Sequence, residues 1–204
     1  MRLDPRQLTN LQRTVGVEVA ARRFLTSAVV PLWLGAGLAD WYCHRRTNIE
    51  RTSGAKESAI HALMMTEAGI PAALGLFCEA NAGVLALAWT ALGAHEATAI
   101  WDVAYAEERR EVTPAEQHVH GLLEVVPLMA TAFLTVLHWD QAIAIVSRRP
   151  SEFRLRPKRW PLSRRYRISF FAAVTVCIAV PYAEELVRCL RTESRPTDTA
   201  EKTA

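Results

Sequence analysis

Ile168-Ser169-Phe170-Phe171-Ala172-Ala173-Val174-Thr175-Val176-Cys177-Ile178-Ala179-Val180 decides the fold class. As a helix this stretch is apolar around its whole circumference, whereas a helix on the surface of a soluble bundle keeps one polar face. Its flanks extend the reading from Tyr166 to Leu190, and roughly 20 such residues are what a helix needs to cross the hydrocarbon core of a bilayer.

Working outward, apolar runs at 24–43, 58–78, 82–105 and 119–146 precede the one at 168–187. Backbone in lipid must satisfy its hydrogen bonds within a helix or a closed barrel, and no period-two alternation supports a barrel. The expectation is an all-α integral membrane bundle of five transmembrane helices. Half of the residues are hydrophobic, yet 22% are charged with a formal net charge of +3, and the charges collect between the runs. Trp41 and Trp101 fall near one membrane face and Trp139 and Trp160 near the other, as interfacial aromatic belts require. Three parts follow: an interfacial arm over 1–23, amphipathic over 1–20; a transmembrane domain over 24–190; and a polar tail over 191–204 that reads as disordered.

Basic residues set the expected orientation, because cytoplasmic loops carry an excess of Lys and Arg. The arm has Arg2, Arg6, Arg13, Arg22 and Arg23, and the loop 148–167 on the same face is strongly basic. The opposite face receives 45–56, 106–117 and the C-terminal tail, with fewer basic residues or more compensating acids. The N-terminus is therefore expected inside and the C-terminus outside a plasma membrane, the bacterial inner membrane by this reading. The basic loop is read as a topology signal rather than as a nucleic-acid or lipid-headgroup site. Arg22-Arg23-Phe24-Leu25 only partly resembles a twin-arginine signal, and the first helix is expected to be retained as an anchor.

Ionisable groups inside such helices are expensive and therefore informative. Pairs recur near one end of four successive runs: Asp40 with His44, Glu57 with His61, His95 with Asp102, and His120 with Glu124. Residues four apart share a helix face, about 6 Å apart along the axis; His95 and Asp102, seven apart, share a face at about 10 Å. Folding the helices back and forth sorts these groups into a deep layer of Asp40, His61, His95 and Glu124 and a shallow one of His44, Glu57, Asp102 and His120. Two imidazoles and two carboxylates per layer point to two adjacent metal ions. Glu116, His118 and Glu67 are additional candidates, as further ligands or as groups bonded to ligands; a helix-start role for Glu116, an interfacial one for His118 and a proton-relay one for Glu67 stay open. His138 lies toward the other face and is excluded, and the separated Cys43, Cys78, Cys177 and Cys189 form no CxxC motif.

Mixed His and carboxylate ligands suit Fe, Mn or Zn. The set resembles the di-iron carboxylate design of ferritin-like bundles and, embedded in a membrane, that of membrane di-iron hydroxylases and desaturases. It resembles them in ligand chemistry over roughly residues 36–128; the HxxHH motif and the Glu-x-x-His spacing are absent. What the resemblance implies is a di-iron oxidoreductase acting on a lipid-like, hydrophobic substrate and served by an electron donor. The alternatives are a zinc-dependent membrane hydrolase of amides or esters, similar in principle to ceramidase-like enzymes, and a metal transport or sensing protein. Whether the chain forms a homo-oligomer is open at this level.

Overall fold

The computed structural model describes residues 16–149, 151–159 and 161–194. Arg2, Arg6, Arg13 and Trp160, the first part of the expected arm and residues 195–204 of the expected tail lie outside the described residues. The protein is all-helical, and among the described residues the only extended pairing is an isolated bridge between Cys78 and Pro157. The helices are α1 (Gly16–Thr47), α2 (Gly54–Phe77), α3 (Ala82–Glu107), α4 (Pro114–Leu137), α5 (Trp139–Val146) and α6 (Arg164–Glu193). Four of them, α1, α2, α4 and α6, are long and apolar enough to cross a membrane. The fifth long helix, α3, has 26 residues but is not one of the four, because His95 and Glu96 lower its hydropathy. It buries twelve of those residues, at steps of three and four that include Ala88, Ala91, Ala99 and Ala106, so small side chains let its neighbours approach closely.

Two boundaries differ from the sequence expectation. The run 119–146 is broken at His138, whose φ of −125° and ψ of 46° end α4, and α5 resumes as a separate short helix. Trp139 and Val146 on α5 are exposed, as an interfacial helix would leave them. At the other extreme, α1 already runs from Gly16, so the helix includes residues assigned by sequence to the arm.

Both α1 and α6 contain a widened turn. Val30 N–H reaches back to Leu25 O, and Val180 N–H to Thr175 O, giving π turns at Leu25–Val29 and Thr175–Ala179. Each is followed at once by a Val-Pro pair, Val30-Pro31 and Val180-Pro181. Proline lacks an N–H and its ring crowds the carbonyl four residues back, and a wider turn relieves that crowding. The extra residue rotates everything beyond it by about 100° relative to an unbroken helix. That rotation sets the faces on which Asp40, His44, Tyr182 and Glu185 sit.

The bundle has two distinct ends. At one, residues 152–158 lie across the α2–α3 junction: Glu79 N–H donates to Arg156 O at 2.8 Å, Gly83 N–H to Glu152 O at 3.1 Å and Lys158 N–H to Phe77 O at 2.9 Å. Gly83 permits this close approach, since a Cβ there would lie 2.4 Å from the Phe153 carbonyl oxygen. At the other end the C-terminal turn of α6 meets the start of α2, where Glu193 Oε1 accepts from Ala55 N–H at 2.8 Å beside the positive-φ Gly54. Between the ends, Val29, Trp33 and Ala36 of α1 pack with Ala68, Leu123, Val126, Ile178 and Tyr182 in one apolar core.

Candidate metal centre

The end of the bundle where α6 meets α2 gathers ionisable groups from all five long helices. Asp40 and His44 come from α1, Glu57 and His61 from α2, Asp102 from α3, Glu116 and His120 from α4, and Glu185 from α6. All are buried except His120, whose side chain is 15% exposed. Their donor atoms form four overlapping sets of three, each within 4.8 Å: Asp40, His44, His120; His44, His61, Glu185; His44, Glu57, Glu116; and Glu57, His61, Asp102.

Glu185 organises the imidazoles. Its Oε2 lies 2.9 Å from His44 Nδ1 and its Oε1 lies 3.5 Å from His61 Nδ1. The two rings stack with centroids 4.4 Å apart and planes inclined by 9°. With both Nδ1 atoms turned to one carboxylate, the Nε2 atoms face two different acid groups. His44 Nε2 is 3.3 Å from Glu116 Oε1 and 3.5 Å from Asp40 Oδ1, with no hydrogen bond to either. His61 Nε2 is 3.1 Å from Asp102 Oδ2 and 3.8 Å from Glu57 Oε1. His120 Nε2 approaches Asp40 Oδ1 at 3.0 Å, again without the alignment of a hydrogen bond, while Tyr182 donates its hydroxyl to Asp40 Oδ2 at 2.8 Å.

Arg110, from the α3–α4 connection, closes the side of the cluster nearest the bundle end. Its guanidinium donates through Nε and Nη2 to Glu57 and through Nη2 to Glu116, the shortest contacts being 2.5 Å to each. Burial opposes its charge, but the two carboxylates more than offset this and hold it more firmly protonated than a free arginine. Further out, Glu184 accepts from Trp41 and Arg45, and Arg188 pairs with Glu50, fastening α6 to α1 and to the turn after it.

Of the eight residues expected as ligands, Asp40, His44, Glu57, His61, Asp102 and His120 converge in the cluster, joined by Glu116. His95 does not: two helical turns from Asp102, it sends Nδ1 to Met64 O at 3.2 Å and leaves Nε2 buried without a partner. Glu124 is outside the four donor sets but lines a cavity of about 20 Å³ beside them, together with Asp40, His61, Asp102 and His120 and with Met64, Met65 and Leu123. Glu67 accepts from Thr98 at 3.1 Å, and His118 is exposed. The deep and shallow layers expected from sequence interleave instead, since Asp40 faces His120 and His61 faces Asp102.

Three participants were not expected from sequence: Glu185, Tyr182 and Arg110. The adjacent Glu184-Glu185 pair just after the apolar run 168–180 is the signal that could have found the first. Arg110 carried no such signal, because in sequence it is one of two adjacent arginines in a charged connection.

Comparison of the chain with protein-family models, with curated proteins and with solved structures finds no match in any of the three.

Proposed function

We propose that this cluster holds two divalent metal ions, iron by the character of its donors, and that the protein is a membrane-embedded oxidoreductase of a lipid-like substrate. The observation that carries the reading is a charge imbalance. Asp40, Glu57, Asp102, Glu116 and Glu185 face one buried guanidinium, that of Arg110. With neutral imidazoles, four negative charges are left, which two divalent cations would balance. Unpaired buried carboxylates would cost several kcal/mol each. Protonating all three imidazoles is the competing remedy. It would place two cations face to face in the His44–His61 stack at 4.4 Å, a repulsion of about 4 kcal/mol at an effective dielectric of about 20.

The donor spacings support the same reading. Two ligand atoms about 2.0–2.2 Å from a shared ion stand about 2.9–3.6 Å apart, depending on the polyhedron. The contacts of His44 Nε2, His120 Nε2 and His61 Nε2 at 3.0–3.5 Å fall in this range. A carboxylate bound to the far nitrogen of a ligand imidazole is the usual way to fix its tautomer, and Glu185 does this for two rings at once. His44, His120 and Asp40 would hold one ion and His61, Asp102 and Glu57 the other, with Glu116 beside the first.

Carboxylates outnumber imidazoles here, which favours iron or manganese over softer choices, and a reduced iron pair would supply dioxygen activation. The chain's own residues then position and screen: Arg110 excludes bulk water on one side, Tyr182 holds Asp40, and Met64, Met65 and Leu123 present an apolar wall to the reacting end of a substrate. The small cavity beside the donors has room for a water-sized molecule. An external electron donor is required. In this reading α3 also crosses the membrane, sheltered by its neighbours, and the end carrying Arg22, Arg23 and loop 148–159 faces the cytoplasm.

Elemental analysis of detergent-purified protein, without added metal, tests the proposal. About two iron atoms per chain are expected, falling below one in His61→Ala with membrane insertion intact. Zinc in their place would move the assignment to hydrolysis, and no metal in wild type would remove it.

A further inference from the structure

At the end of the bundle away from the metal centre, α1, α2 and α4, with Lys158 and Leu162, line a second, partly open cavity of about 160 Å³. Its wall is apolar, formed by side chains such as Leu25, Val29, Pro71, Leu76, Leu134 and Leu162. Two helices depart from regularity where they line it, and the third leaves a buried polar group there. The π turn of α1 supplies Leu25, Thr26 and Val29; Pro71 removes a backbone donor from the middle of α2; and Thr131 of α4 keeps a buried hydroxyl with no partner. The threonines at 26 and 135 return their hydroxyls to the carbonyl four residues back, so Thr131 is the exception among these three.

The polar groups lie together at one side of the lining. Arg22 is there with its ion-pair partner Glu18 at 2.9 Å, next to His138 and Lys158. Lys158 is half-buried, gives one hydrogen bond to Gly75 O, and forms no ion pair among the described residues. Burial, then the nearby charge of Arg22, pushes its pKa below the ordinary lysine value, with Glu79 and Glu18 only partly opposing. An ammonium in that setting gains from an anion. Apolar walls and a cationic rim together describe a site for an amphiphile with an anionic head.

We propose that this cavity binds a fatty carboxylate, its acyl chain lying between α1, α2 and α4 and its head at Lys158 and Arg22. A dry cavity of about 150 Å³ takes a benzene-sized molecule, so roughly six carbons lie inside, and medium chains fit best. The site is separate from the metal centre. Pro71 and His61 are ten residues apart on α2, about 15 Å by helical rise, and Trp33, Ala68, Leu123 and Val126 fill the space between. The inference does not rest on the metals, and its test reads no metal-dependent quantity.

The test is calorimetric titration of decanoate into full-length, delipidated protein in a non-ionic detergent. Saturable binding of one decanoate per chain is expected, with decanol weaker by at least about fivefold. Gly75→Leu should lose at least tenfold in affinity, since a Cβ at this lining position meets nothing within 4 Å and the larger side chain can grow into the cavity. Gly75→Ala should bind as wild type does, and unchanged helical circular dichroism verifies both folds. Lys158→Gln should weaken decanoate about fivefold and leave decanol unchanged. Equal affinity in Gly75→Leu, or equal binding of decanoate and decanol by wild type, overturns the proposal. A second arm separates a free acid from a bilayer lipid: full displacement of decanoate by an equal concentration of phosphatidylglycerol would overturn the fatty-acid assignment, and retention of decanoate supports it.

Discussion

Nδ1 of His44 lies 2.9 Å from Oε2 of Glu185, a contact that spans 141 residues of chain. Through it and its second oxygen, the last helix fixes the imidazole orientations of α1 and α2. Glu185→Gln preserves the shape and removes the charge that orients both rings. Changes of this kind typically lower metal affinity by about 10–100-fold. Competition with a chelator of known affinity measures it, and an unchanged affinity would mean that Glu185 does not support the proposed ligands.

Arg110 is the only guanidinium among the described residues to touch Glu57 and Glu116, and it touches both. Replacing it by Gln leaves two buried carboxylates without their counter-charge. Removing one partner of a buried ion pair commonly costs about 3–5 kcal/mol. The expected result is a clear fall in the thermal midpoint of metal-free protein and a smaller fall once metal is bound, because the ions then supply the missing positive charge. Equal falls in the two states would show that Arg110 stabilises the bundle without reference to the metals.

Helical content and the concentration of polar pairs at one end could be read from sequence because both rest on local periodicity. An apolar circumference over 168–180 announces a span within the helix Arg164–Glu193, and four-residue spacing places Asp40 with His44 and Glu57 with His61 on shared faces. Which pairs meet across helices was not legible. Rotations introduced by the π turns before Pro31 and Pro181 depend on how a proline's crowding is relieved, and spacing alone does not contain them. Treating each helix as a regular ladder produced two layers, and it admitted His95, which the packed structure turns toward the Met64 carbonyl. Glu185 was hidden for a different reason: an assignment built on four successive pairs had no place for a single acid on a fifth helix.

His95 and His61 therefore separate under substitution. His95→Ala should leave the metal content per chain at the wild-type value, whereas His61→Ala should lower it, both read by elemental analysis. His95 is fully enclosed beside α2, so its loss should appear instead as a destabilisation of about 1–3 kcal/mol from the lost hydrogen bond to the Met64 carbonyl and the vacated volume. Metal loss in His95→Ala to the level of His61→Ala would extend the centre a further two turns along α3.

Gly83 tests how residues 152–158 are held. A methyl group there would meet the backbone of Phe153 at 2.4–2.8 Å, and backbone cannot swing aside as the end of a side chain can. Gly83→Ala should therefore push residues 152–158 off the α2–α3 junction and weaken the Gly83 N–H to Glu152 O hydrogen bond, at about 1–3 kcal/mol by the usual scale of overpacking. Gly93 on the same helix is the internal control, because a Cβ there meets nothing. Gly93→Ala should be neutral or stabilising by up to about 1 kcal/mol, the ordinary helix gain over glycine. Thermal midpoints of the two variants in one detergent decide the matter: a fall in Gly83→Ala no larger than in Gly93→Ala would mean that the loop yields freely and does not lock the junction.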